Sequence, residues 1–427
     1  MFIPFVRRYL AGMLMLVPLV SLAATDTSPP RSLNLREAIA RTLKGNPELL
    51  VFPPAKRVVE AERLQANFRP NPSIDLTAEN FVGPSAARDQ QQITLTLSQV
   101  IELGGKRAYR FDAADAAVGT VEAEYVIARL DALSEMARRF TDTAQSQAEI
   151  ELADRAVALA QSIATSVERR IKAGAASTAE RNRAQVVLVR ARIDAERARS
   201  DLAARRIALA AMWGEQEANF DTVQADLEQL PTLIPIAPIL DQLQQSPAFA
   251  RFAAERRLRE AERKLARAQA VPDLTVGLGL RRISLSNDYT LLASLSMPLP
   301  ANNRNQGEIA AVTAKIEVSD AEREAAHLRM RVVLYGLYQE AVQVRARAAA
   351  IKNEATPQAE QALFLTQRGF DNGRFSFLEL ADARRQVLEL RSQLIEAYGD
   401  AHRLDAEIER LIGQPIATST PIPGEPR

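Results

Sequence analysis

The chain has 427 residues, with Lys+Arg 54 against Asp+Glu 53, two histidines, no cysteine and only 5% aromatic residues. The near-neutral, interspersed charge leaves no basic footprint for nucleic acid. The missing cysteine excludes disulfides, thiol catalysis, thiolate metal sites and a lipid-modified N-terminal cysteine.

Residues 1–23 have the form of an export signal: Arg7 and Arg8, a short apolar core from Leu10 to Val20, and small residues around Ser21-Leu22-Ala23. No later run of about 18 apolar residues could serve as a transmembrane helix. A first structural repeat is expected over 24–230. It has a short helix near Leu35 to Leu50, a break at Phe52-Pro53-Pro54, two strands, a helix from Lys106 to Ile171, and a returning helix from Ser177 to Trp213. At about 1.5 Å per residue the Lys106 helix is a rod of roughly 100 Å, too long for a globular core. A second repeat over 231–415 has the same order: a helix from Ile239 to Ala270, two strands, a rod from Gln306 to about Phe370 that Pro357 should kink, and a return from Ser376 to Ile412. Residues 416–427 form a Pro-rich tail. Dense alanine (Ala113, Ala114, Ala116, Ala117 and Ala348, Ala349, Ala350) points to close helix packing.

The repeats share their wording. Gly174-Ala-Ala-Ser177-Thr-Ala-Glu180 returns 199 residues later as Gly373-Arg-Phe-Ser376-Phe-Leu-Glu379, and Asn46-Pro47 is echoed by Ser246-Pro247. A glycine able to end a helix in the left-handed conformation, followed by Ser-x-x-Glu, is a helix stop and a capping box, so each copy marks the tip of a helical hairpin.

Four segments alternate apolar and polar residues: Ser73 to Glu79, Gln92 to Ser98, Leu274 to Leu280, and Tyr289 to Met297. Rods offer such a sheet little to bury its apolar face against. A membrane barrel, apolar outside and polar within, accommodates the pattern, with Ile74, Leu76, Ile93 and Leu95 toward lipid and Asp75, Thr77, Glu79, Thr94 and Thr96 toward water. The smallest such barrels use about eight strands, so several chains would share one; three copies would supply about 12. An exported coiled-coil structural or tethering protein with a small soluble sheet is the alternative.

Leu33-Asn-Leu35-Arg-Glu37-Ala38-Ile39, Asn46-Pro47-Glu48-Leu49 and the two Gly-x-x-Ser tips resemble the TolC-like outer-membrane efflux proteins over nearly all of the chain. Glu102-Leu-Gly104-Gly105-Lys106-Arg107 resembles the heavy-metal branch of that family, the CzcC and CusC types. The resemblance implies a mainly α fold with four β-strands: a homotrimer whose long hairpins form an α-helical barrel topped by a shared 12-stranded membrane β-barrel in outer-membrane lipid. It also implies a periplasmic adaptor (membrane fusion protein) and an inner-membrane pump of the resistance-nodulation-division (RND) type, with heavy-metal cations as cargo. Gly174, Ser177, Gly373 and Ser376 become adaptor-docking tips. Glu379 and Asp382, six and nine residues past the second-tip glycine, become a periplasmic gate. Their first-repeat equivalents are Glu180 and Arg183; Arg183, or Arg374, could pair with the acidic residues and hold the mouth shut. No enzyme motif, cofactor site or metal site is visible, and His327 and His402 read as solvated surface residues. Gly104-Gly105-Lys106 lacks the upstream glycine and the following Ser/Thr of a phosphate loop.

Overall fold

The structure, a computed structural model, describes residues 31–81 and 90–414; the expected leader over 1–23 and the tail over 416–427 lie outside them. Strand β1 (Ser32–Asn34) runs into helix α1 (Leu35–Gly45), where the Asn34 side chain accepts the Glu37 N–H as an N-cap. A 3₁₀ turn at Leu49–Val51 precedes α2 (Phe52–Ala66). The break expected at Phe52-Pro53-Pro54 is therefore misplaced. These prolines occupy the first turn of a helix, where a backbone N–H has no intrahelical partner to lose. The interruption lies upstream at Asn46-Pro47, where Asn46 Oδ1 accepts the N–H groups of Glu48 and Leu49.

Strands β2 (Ser73–Glu79) and β3 (Gln92–Ile101) belong to the first repeat; β5 (Leu274–Ile283) and β6 (Asp288–Ser296) belong to the second. They form one antiparallel sheet in the order β2-β3-β5-β6. The described residues hold six strands rather than the expected four. β1 pairs in parallel with β4 (Thr222–Gln224), burying Leu33 and Val223 beside Trp213 and Phe220. Three-residue strands 190 positions apart show no alternation to detect.

The rods follow the expected course. Helix α3 (Lys106–Lys172) has 67 residues, and α4 (Thr178–Ala210) returns along it. After α5 (Ile236–Leu243) and α6 (Pro247–Gln269), the second rod is α7 (Gln306–Ala350), a π-helical stretch (Ile351–Ala355) and α8 (Thr356–Asp371). Pro357 opens α8, and the wider π turn just before it carries the chain through a position that would break regular α-helical bonding. Helix α9 (Phe377–Ile412) returns from the second tip. It is fixed to α7 by Arg345, which donates to both Asp405 oxygens at 2.6 Å, and to α3 by Arg403, which donates to Asp142 at 2.8 Å. Neither histidine is a free surface group. His402 Nε2 lies 3.1 Å from the Leu227 carbonyl, and the His327 ring lies tilted against Phe249 with centroids 5.6 Å apart.

Each repeat closes on itself with the same clasp. Gly214 (φ 79) ends the first return against Pro47, and Gly413 (φ 73) ends the second against Pro247; a side chain at either would also be strained by the left-handed backbone. In the first clasp Asn46 Nδ2 donates to the Met212 carbonyl at 3.0 Å. In the second the shorter Ser246 is equally buried, and its Oγ finds no partner among the described residues. Ser246→Asn is expected to rebuild the missing bond to the end of α9, in space continuous with an adjoining cavity of about 360 Å³. One such buried hydrogen bond is worth about 1 kcal/mol net, seen as a raised thermal midpoint. A lowered midpoint would show that the site cannot take the larger side chain.

Candidate functional site: the sheet and the helical tips

The register sorts the four-stranded sheet into two unlike faces. On one, Leu76, Leu95, Leu280 and Leu291 stand in one cross-strand row and Ile74, Leu97, Leu278 and Ala293 in the next. None of the described residues covers this face: Leu76 is 70% exposed and Leu291 77%. A contiguous apolar surface of this kind is a contact surface in waiting. On the other face Gly277 and Gly279 make room for hydroxyls, a Cβ at Gly279 falling 2.9 Å from Thr96 Oγ1. Asp75, Thr77 and Glu79 are exposed there, as expected. Thr94 shares the face but is buried, because Arg281 lies over it and donates from Nε to Thr94 Oγ1 at 3.0 Å. The outer strands β2 and β6 each have a neighbour on one side only, so both edges present unpaired backbone groups.

At the opposite end the two tips are built alike. In the first, the N–H groups of Ala173, Gly174 and Ala175 bond the carbonyls of Arg169, Ile171 and Arg170; in the second, those of Asn372, Gly373 and Arg374 bond Arg368, Phe370 and Gly369, each 199 residues on. Gly174 and Gly373 both have φ 73, and a Cβ on either would meet open space. Their need for glycine is conformational, not a lack of room. Both capping boxes form: Ser177 N–H donates to Glu180 at 2.9 Å and Ser376 N–H to Glu379 at 2.7 Å. That backbone bond, joined by one from the Ser376 hydroxyl, holds the Glu379 carboxyl below its usual range.

Among the gate candidates Glu379 and Asp382 line one groove, and the partners the described residues give them are local. Asp382 pairs with Arg385, three residues along its own helix, and accepts from Gln386 Nε2 at 3.2 Å. Arg183 and Arg374 are exposed and form no ion pair with Glu379 or Asp382 among the described residues, because local i,i+3 and capping partners reach the carboxylates first. Glu379 and Asp382 line an open groove of about 900 Å³ together with Leu159, Ile163, Asp194 and Arg384. No group of three or more His, Cys, Asp or Glu among the described residues could hold a metal ion. None of the described helices is long and apolar enough to cross a membrane.

Two tip arginines escape sequence reasoning. Arg384, buried between the hairpins, donates to the Leu159 carbonyl at 3.3 Å and to Gln367, and burial pushes its guanidinium down to about 10. Arg170 donates to the Phe370 carbonyl at 2.6 Å and the Ala175 carbonyl at 3.2 Å, with its guanidinium 4.3 Å from the Phe370 ring centre. The signal was an asymmetry between repeats. Arg170 corresponds to Gly369 and Ala176 to Phe375, and in the second tip the Phe375 ring occupies the space that any side chain at 369 would need.

A family model for outer membrane efflux proteins matches residues 38–215 and 239–414. The cobalt-zinc-cadmium resistance protein CzcC of Cupriavidus metallidurans is 28% identical over 352 residues, covering 82% of this chain and 83% of that protein. The nickel-cobalt-cadmium resistance protein NccC of Alcaligenes xylosoxydans xylosoxydans is 26% identical over 316 residues, 74% of this chain and 70% of that one. The solved structure of CusC superposes with a TM-score of 0.76 at 16% identity, over 89% of this chain and 92% of that one.

Proposed function

The chain belongs to the outer membrane efflux protein family, and from that premise we propose that three copies join edge to edge into one continuous duct. It is an outer-membrane efflux channel reaching into the periplasm, not an enzyme. The observation that carries the assembly is the sheet, with an uncovered apolar face and two unpaired edges. Pairing β6 of one copy with β2 of the next satisfies both edges, turns the apolar face to lipid and closes a barrel of about 12 strands. Below it, the hairpins of three copies enclose an α-helical tunnel whose tips, around Gly174, Ser177, Gly373 and Ser376, meet a periplasmic adaptor and, through it, an RND-type inner-membrane pump. Residues 24–230 and 231–415 then act as two structural repeats of one wall.

Heavy-metal cations are the cargo this reading favours, since CzcC and NccC are named for resistance to cobalt, zinc, cadmium and nickel. With no ligand cluster of its own among the described residues, the duct passes the ion without holding it. Asp382, Glu379 and Glu180 contribute negative charge at the mouth, where threefold repetition concentrates the field. Arg183 and Arg374, without an ion pair among the described residues, meet those carboxylates across a boundary between copies.

Bilayer recordings test the reading. Purified protein should insert as a heat-modifiable trimer and conduct, with cations favoured over anions. Asp382→Asn should reduce that preference and the block by divalent cations severalfold while single-channel insertion persists. Unchanged selectivity and block would remove Asp382 from the mouth. A chain that stays in solution without detergent and never conducts would instead be a periplasmic tether.

A further inference from the structure

Two neighbouring arginines near the far end of β5 meet different fates because the pleat sends them to opposite faces. Arg281 shares the face of Gly277 and Gly279 and is engaged by Thr94. Arg282 shares the face of Leu278 and Leu280, in register with Ile93 on one side and Tyr289 on the other. It is exposed and donates to Asn287 Oδ1 at 3.1 Å; no carboxylate among the described residues forms an ion pair with it.

Down this face from Arg282, the residues of β5 are Leu280, Leu278, Val276 and Leu274, all apolar. Arg282 to Leu274 spans eight residues, about 27 Å along a strand, which at the usual tilt is about 20 Å of membrane depth. That is close to the apolar height of an outer-membrane barrel, so the Arg282 row falls where hydrocarbon gives way to headgroups. An arginine is costly at the bilayer midplane and nearly free at this level. The row lies at the end of the sheet away from the helices, hence toward the outward leaflet. Tyr289, 65% exposed beside Arg282, supplies the amphipathic ring that such a boundary favours.

We propose that Arg282 and Tyr289 form a receptor for the phosphate of an anionic lipid headgroup in the outward leaflet, repeated once per copy around the barrel. The proposal rests on the membrane-facing reading of the sheet. The guanidinium offers a planar pair of N–H donors matched to phosphate oxygens, and the phenol adds a third donor. The Asn287 bond pre-orients the fork. Ile93 and Leu280 beside it present the apolar surface on which the acyl chains of the same lipid would lie.

The test is binding of a bis-phosphorylated glycolipid to the detergent-solubilised full-length protein, followed by native mass spectrometry. The dephosphorylated glycolipid and inorganic phosphate serve as comparison probes. Wild type should prefer the phosphorylated lipid, Arg282→Gln should weaken its binding about fivefold per site, and Tyr289→Phe should weaken it less. Arg282→Lys, which keeps the charge but loses the fork, should fall between wild type and Arg282→Gln, and covers the case in which the glutamine variant assembles poorly. Equal binding by wild type and both Arg282 variants, no preference for the phosphorylated lipid, or displacement by millimolar inorganic phosphate would each overturn the proposal. Bilayer conductance separates the two readings: wild type that conducts but shows no phosphate preference sinks only this site, whereas wild type that never inserts sinks the barrel itself.

Discussion

Leu97→Arg is expected to abolish the membrane-inserted trimer, while Thr77→Arg leaves its yield near that of wild type. Leu97 lies in the row with Ile74, Leu278 and Ala293, midway between the Arg282 and Leu274 rows, and is 53% exposed, with nothing among the described residues to cover it. A charge on the lipid side near mid-bilayer costs about 2–4 kcal/mol, and threefold symmetry makes that about 6–12 kcal/mol per assembly. Thr77 is exposed on the opposite face, paired with Thr94, where an added cation stays in water. Thr94 itself would be a poor comparison, because a second arginine there would displace the bond from Arg281 and crowd its charge. The readout is the heat-modifiable trimer in the outer-membrane fraction. Equal yields for Leu97→Arg and Thr77→Arg would mean that the apolar face does not meet lipid.

Why the sequence discloses some of this and conceals the rest comes down to the range of each signal. The rods, the four sheet strands and both tips are written locally: a helical period sustained over α3, strict alternation over β2, and a glycine with Ser-x-x-Glu at each turn. Such patterns survive without knowledge of the fold. The β1–β4 ladder does not, since Leu33 and Val223 meet only because Trp213 and Phe220 gather them into one core. Prolines read differently by helix position: Pro53 misleads because it begins a helix, whereas Pro357 does interrupt regular α-helix in its rod, with a π turn just before it. The gate was harder again. Asp382 and Glu379 can be placed by resemblance, but what each pairs with depends on nearby competitors. Within one copy Asp382 pairs with Arg385 and Glu379 with the Ser376 N–H.

Arg170→Ala should loosen the tunnel mouth, raising conductance at rest while leaving the trimer and its barrel intact. The tips share one small core, in which Ile163, Val167 and Ala184 of the first hairpin pack against Phe370, Phe377 and Leu380 of the second. Arg170 is one of two polar ties between the hairpins here, the other being Arg384 to the Leu159 carbonyl: Arg170 grips the Phe370 carbonyl and ring and, with its other nitrogen, the Ala175 carbonyl of its own turn. A charged hydrogen bond of this kind contributes about 1.5–3 kcal/mol, and the cation–π contact about 0.5–1 kcal/mol more at a partly exposed site. Losing most of that in each of three copies weakens the coupling between the two hairpins at the end where an opening motion must part them. The barrel, a rod's length away, has no part in the contact, so assembly yield should not change. Arg170→Lys keeps the charge but cannot bridge two carbonyls with a rigid fork, and should open the mouth partway. Phe370→Leu leaves the carbonyl but removes the ring and part of the apolar core, so the ring's share is read from the double variant with Arg170→Ala. The measurement is resting conductance per inserted trimer, paired with protease cleavage between 369 and 376 as a structural readout. Full-size trimers of Arg170→Ala with wild-type conductance and wild-type protection would show that the apolar core and the Arg384 bond hold the tips together without Arg170.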